Sequence, residues 1–153
     1  MRELKEDYDK CLAEGFIIGL KGPVNKEKVQ KMLMLVEGNK EVAKKSAKDA
    51  DKNSVTWNTI YNLHYDVLRE LTEAFLVFDF VKILNHKCLF AYLCLNHPEL
   101  EFEWLFFEKV RKNRNGINYY GQLVTYKDFK EIVVQLNLYA NVLKKSIEKK
   151  LSE

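Results

Sequence analysis

Arg114 lies four residues after Val110 and three before Ile117, on a helical stripe that also carries Phe106. A guanidinium is always charged and is rarely set on an apolar stripe without a partner. Two readings are open. Arg114 pairs with a carboxylate, inside the protomer or across a dimer, or it lines a cleft and offers its planar fork to a phosphate. Asn115 follows it directly, Tyr119 and Tyr120 come about one turn later, and Arg111 stands three residues before it. Cations, an amide and two phenol rings at that spacing suit a phosphate with a stacked base. The same two tyrosines equally suit a subunit interface, where this residue type is enriched.

The other reactive side chains are sparse. His64 falls on an apolar stripe and reads as a satisfied core histidine. His86 opens a helix and can assist its cap, and His97 precedes Pro98 as a loop residue. No two of them are four apart on one helix, and the three cysteines make no C-x-x-C pair, so no metal site is expected. A Gly-rich phosphate loop, H-E-x-x-H, G-x-S-x-G and the kinase set are all missing from the sequence. No cofactor is expected.

Charge and cysteine bound the setting. Lys and Arg number 25 against 22 Asp and Glu, a net charge of +3, too small to force a nucleic-acid partner. Cys11, Cys88 and Cys94 are odd in number, which argues against a disulfide framework and for reduced, buried thiols. The N-terminus is charged where a signal peptide is apolar. The longest apolar run, Cys88 to Leu95, is too short for a bilayer, which takes about 20 residues. A cytoplasmic protein without membrane contact is expected.

The elements that position these residues are helices. The 153 residues suit one domain, 1–153, and 2 Pro with 6 Gly give too few turns for a sandwich or barrel. An additional helix is expected over 1–21, from Arg2 to Leu20, with Gly15 and Gly19 on it. A second runs from Asn25, as N-cap, to Ala50. Its Lys-rich half, 40–52, reads as a solvated or frayed face, with RNA contact the other reading. The third runs from Ser54, as cap, to Asp79, and carries the apolar stripe from Trp57 to Phe78. Asn85 caps a short fourth, His86 to Asn96. Pro98 opens a fifth that begins acidic and ends basic. Thr125 and Asp128 make a capping box for a sixth. Strand signals are absent. The expected architecture is all-α, an antiparallel up-down bundle of four to five main helices over 25–151.

Two stretches carry more. RELTEAFLVFDFVKILNHKCLFAYL, residues 69–93, and KVRKNRNGINYYG, residues 109–121, resemble the HEPN family in its archaeal and bacterial stand-alone form. The shared parts are an Ala-Phe-Leu run near the end of a long helix, a short loop, a Lys and a His at the start of a short helix, an Arg-Asn pair ending the next, and a long closing helix. The resemblance implies a bundle that dimerises around the Arg-bearing helix. It implies a metal-independent ribonuclease, often a toxin encoded beside a nucleotidyltransferase-type partner. The family motif is Arg, a polar residue, then His four to six residues on. Arg114 and Asn115 match its first two positions, but Tyr119, Tyr120 and Gly121 stand where the His belongs. With a reference pKa of about 10, tyrosine is a poor base at neutral pH. In some members a further tyrosine accepts AMP; Gly121 stands there.

The resemblance so modified implies a HEPN-like homodimeric binding or assembly module with a degenerate Arg-Asn…Tyr motif. Its ligand would be nucleotide, RNA or the nucleotidyltransferase-type partner, held by Arg111, Arg114, Tyr119 and Tyr120. The alternative is a metal-independent endoribonuclease that uses Arg114, Asn115 and Tyr119 at the dimer cleft, or a histidine from elsewhere such as His86.

Overall fold

The computed structural model describes residues 2–115 and 121–153 in full, and the backbone of 116–119. The described residues are all-α apart from one two-stranded ribbon. The elements are α1 (Arg2–Ala13), β1 (Ile17–Gly19), α2 (Lys26–Asp49), α3 (Thr56–Val77), β2 (Val81–Ile83), α4 (His86–Asn96), α5 (Trp104–Tyr119) and α6 (Tyr126–Leu151).

The ribbon corrects the expectation of no strands and of one helix to Leu20. Gly15 takes a φ of +75°, which ends α1 early. Ile17, Ile18 and Gly19 then pair antiparallel with Ile83, Lys82 and Val81. Alternation over three residues is too short to read from sequence. Cys11 and Cys88 form a disulfide, against the expected reduced thiols; Cys94 alone is free. Counting cysteines missed the pair because 77 residues separate its members and only the packing of α1 on α4 brings them together.

Capping chemistry sets several boundaries. The Asn25 side chain accepts from Lys28 N–H, and that of Asn85 from Cys88 N–H. Thr125 and Asp128 exchange both bonds of the capping box. Ser54 lies one residue too early to be the N-cap of α3; its hydroxyl accepts from Thr56 N–H instead. Pro98 opens only a 3-10 turn, Pro98–Leu100, closed by Glu101 in the left-handed region at φ 55°. Glu99, Glu101 and Glu103 therefore precede α5, and the expected acidic first turn of that helix is absent.

α3 is the hub. Ile60, Tyr61, Leu68, Leu71 and Ala74 have no exposed surface, and the helix packs on α2, α4, α5 and α6. α2 precedes it and packs on it as a helical hairpin. Ala43 and the half-buried Ala47 keep the second half of α2 against the body, so that half neither frays nor projects, while Lys44, Lys45 and Lys48 face solvent. α6 runs in the same direction as α3: Trp57 meets Tyr126 and Phe129, and Lys150 lies over Phe75 and Phe78. An aromatic cluster of Phe90, Phe102, Phe106, Phe107 and Tyr139 joins α4, α5 and α6. His97 is more than a loop residue. Its two ring nitrogens meet Asp79 and Glu99, and its ring packs edge-on to Phe75 at 4.7 Å, which ties the end of α4 to the end of α3.

Candidate functional site

Asn62, Asp66, Arg69 and Glu73 recur at steps of four, three and four along α3. That spacing puts the four on one face of the helix as a polar stripe. Arg69 is held within it by Asp66 (3.7 Å), Glu70 (3.5 Å) and Glu73 (3.1 Å). α5 brings Arg114 to the same place. Its guanidinium carbon sits 4.9 Å from the centre of the Tyr65 ring, a cation–π contact, and one Nη is 3.9 Å from Asp66 Oδ1. That last distance is the outer edge of an ion pair. Of the two readings for Arg114, carboxylate pairing is thus met only loosely. The Arg114 Nε is buried and donates to no acceptor among the described residues. Asn62 Oδ1, on the facing stripe, is likewise buried and accepts from no donor among them. Orphaned buried polar atoms of this kind are rare and call for a reason.

α4 supplies the third part. His86 stands at its first position, and its Nδ1 lies 3.0 Å from the Tyr65 hydroxyl. Burial and the positive charges of Arg69, Arg114 and Arg111 lower the pKa of His86. A histidine so placed is neutral at pH 7. When Nδ1–H donates to the Tyr65 oxygen, Nε2 is left with a free lone pair, the form a general base needs. Burial pushes the Tyr65 phenol up to about 12, so it stays protonated and serves as a hydrogen-bond partner.

Three of the four arginines therefore converge on one histidine and one tyrosine. Arg111 belongs to the group by charge, but its fork is taken by Glu108, through Nε at 3.1 Å and Nη2 at 3.2 Å. Asn115 is half-buried beside Arg114. Tyr119 and Tyr120 lie outside the residues whose side chains are described. Sequence reasoning passed over Tyr65, Asp66 and Arg69 as site members. The signal was present in the polar stripe of α3, hidden behind the stronger apolar one.

Among the described residues there is no group of three or more His, Cys, Asp or Glu side chains placed to hold a metal ion, and no helix long and apolar enough to cross a membrane.

Both His86 and His64 have lowered pKa values, in each case chiefly by burial. The unfolded chain then binds more protons than the folded one just below the free-histidine value of about 6.5. Stability is full above that pH and falls as the pH drops toward the lowered values. Glu70, raised by burial, works in the opposite sense, so the comparison is best made between variants. The expected result is a urea midpoint that drops between pH 7 and pH 5, and drops less in the His64→Gln/His86→Gln double variant. Equal drops in the two proteins would count against buried neutral histidines.

Compared with protein families, with characterised proteins and with solved structures, the chain matches none.

Proposed function

We propose that this chain is a HEPN-like module, acting as a homodimer, that binds RNA or a nucleotide through its phosphate at Arg114. The observation that carries the reading is the Arg114 guanidinium: half-buried, over an aromatic face, its Nε without an acceptor among the described residues. A planar guanidinium fork suits a phosphate, and 24% of the Arg114 side chain stays exposed to meet one beyond the buried Nε. Arg69 is already paired with Asp66, Glu70 and Glu73, and Arg111 with Glu108, so Arg114 is the cation left for the ligand. A nucleotidyltransferase-type protein is the partner the family resemblance suggests; the cytoplasmic setting that goes with it stands against the Cys11–Cys88 disulfide, a bond that persists mainly in oxidising compartments.

The second reading, a metal-independent endoribonuclease, is favoured by one specific observation. His86 and Arg114 both contact Tyr65, and burial with the nearby arginines lowers the His86 pKa. In that reading Nε2 of His86 takes the proton of the 2′-hydroxyl, whose oxygen attacks phosphorus; Arg114 stabilises the charge on the phosphorane, and the P–O5′ bond breaks as the 5′ oxygen takes a proton from water, leaving a 2′,3′-cyclic phosphate.

The test is binding and cleavage of single-stranded and hairpin RNAs in EDTA, with Arg114→Ala and His86→Ala beside wild type. For a binding module, wild type binds without cutting. Arg114→Ala then loses about tenfold or more in affinity, the value of one charge-assisted contact. His86→Ala binds nearly as well as wild type. For a nuclease, wild type cuts and both variants lose cleavage, while His86→Ala still binds. Wild type that neither binds nor cuts RNA, and binds no mononucleotide, defeats both readings.

A further inference from the structure

A second site lies on the far side of α3, away from Arg114. α2 and α6 both rest on α3 but diverge from one another, bridged at one end by Lys144 to Glu37 at 2.8 Å. Between them is a cleft of about 440 Å³, within the size range of small-molecule sites. Its floor and walls are apolar: Val67 from α3, Phe129 and Val133 from α6, Ala43 and Ala47 from α2. The small alanines are what leave the room. Its polar lining is Lys40, Lys44, Asn137, Asn141 and His64, with no carboxylate. Lys40 makes only a 3.7 Å contact with Glu37, and Lys44 has no ion-pair partner among the described residues.

His64 is the informative member. Its Nδ1 lies 2.9 Å from the Ile60 carbonyl oxygen, which can only accept, so Nδ1 carries the proton. Phe129 packs edge-on to the ring at 4.9 Å and fixes its plane. The opposite nitrogen, Nε2, is then a lone-pair acceptor on the edge of the ring left to the cleft. A core histidine satisfied at Nδ1 is thereby also a directional group in a ligand-sized space.

We propose that this cleft binds a small organic anion with a flat aromatic body. The ring lies between Val67, Phe129 and the α2 alanines, and a carboxylate or phosphate meets Lys40 and Lys44. A ligand O–H or N–H donates to His64 Nε2. Asn137 and Asn141, one turn apart on α6, close the polar rim with amide donors and acceptors. The site uses none of the Arg114 group and stands or falls apart from the reading given above.

The experiment follows the His64 ring protons by NMR during titration of the full chain. The probes are 4-hydroxybenzoate, phenyl phosphate and the uncharged 4-hydroxybenzamide. The expected result is a saturable shift with one or both anions, and an affinity for the amide lower by about tenfold, the value of a hydrogen bond to a charged group. Lys44→Glu, an exposed change that leaves the fold intact by circular dichroism, is expected to weaken the anion by a similar factor. Ala47→Trp, which fills the cleft, is expected to abolish the shift. Shifts that stay linear at millimolar anion, equal affinity for the amide, or unchanged binding in Lys44→Glu would each overturn the proposal.

Discussion

Phe107→Ala is expected to lower the stability by about 3–5 kcal/mol, the range for deleting a fully buried aromatic ring. Phe107 has no exposed surface. It stacks on Phe90 at 4.8 Å and touches Phe102, Phe106 and Tyr139 at 5.8, 6.2 and 5.5 Å between ring centres. Those partners come from α4, the connection before α5, α5 itself and α6. Rings anchored on separate elements cannot all move in to fill the hole, so the cavity persists and adds to the lost transfer energy. Leu105→Ala, two residues away but 70% exposed, is the control and is expected to change stability by less than about 0.5 kcal/mol. Urea denaturation of both variants decides it; a similar small loss in the two would mean that this cluster does not hold the core. The consequence reaches the site. Phe90 lies one turn after His86 and Phe107 two turns before Arg114, so this stack sets the spacing that brings the two together.

Opening the Cys11–Cys88 disulfide is expected to cost a similar amount, about 4.5 kcal/mol. The figure comes from the entropy an unfolded chain regains when a loop of 77 residues is released. The bond also secures α1. Apart from it, α1 is held to the body by the buried Leu4, the Tyr8–Tyr92 ring contact at 6.2 Å and the Lys87–Asp7 ion pair at 3.3 Å. Surface pairs of that kind contribute little. Denaturation with and without dithiothreitol, beside the Cys11→Ser/Cys88→Ser variant, checks the expectation. Wild type should lose stability on reduction and approach the variant, which reductant leaves unchanged. A wild type indifferent to reductant would show that the bond does not form in solution. Disulfides of this sort persist mainly in oxidising compartments.

Much of the fold was legible in the sequence because helices are local. Asn25, Asn85 and the Thr125–Asp128 pair set helix starts through bonds to backbone groups three residues away, and the stripes of α3 and α6 repeat every three to four residues. All of that lies within one turn of chain. The β1–β2 ribbon and the Cys11–Cys88 bond were not legible, because each joins segments more than sixty residues apart and neither has a local pattern strong enough to announce it.

The candidate site divides along the same line. The sequence by itself singled out Arg114, since an always-charged group on an apolar stripe is an anomaly that needs no partner to be seen. It also placed Asn115 and Arg111 beside it. Only the tertiary structure decided what surrounds Arg114. The Tyr65 ring lies beneath it, Asp66 stands at the limit of pairing, and Arg111 is turned aside to Glu108. It likewise decided that His86, twenty-eight residues earlier in the chain, stands with Tyr65 in the field of three arginines. The physical reason is plain. A residue's charge and size are its own, but its burial, its pKa and its hydrogen-bond partners belong to the elements packed around it, and those are set by contacts that sequence spacing does not encode.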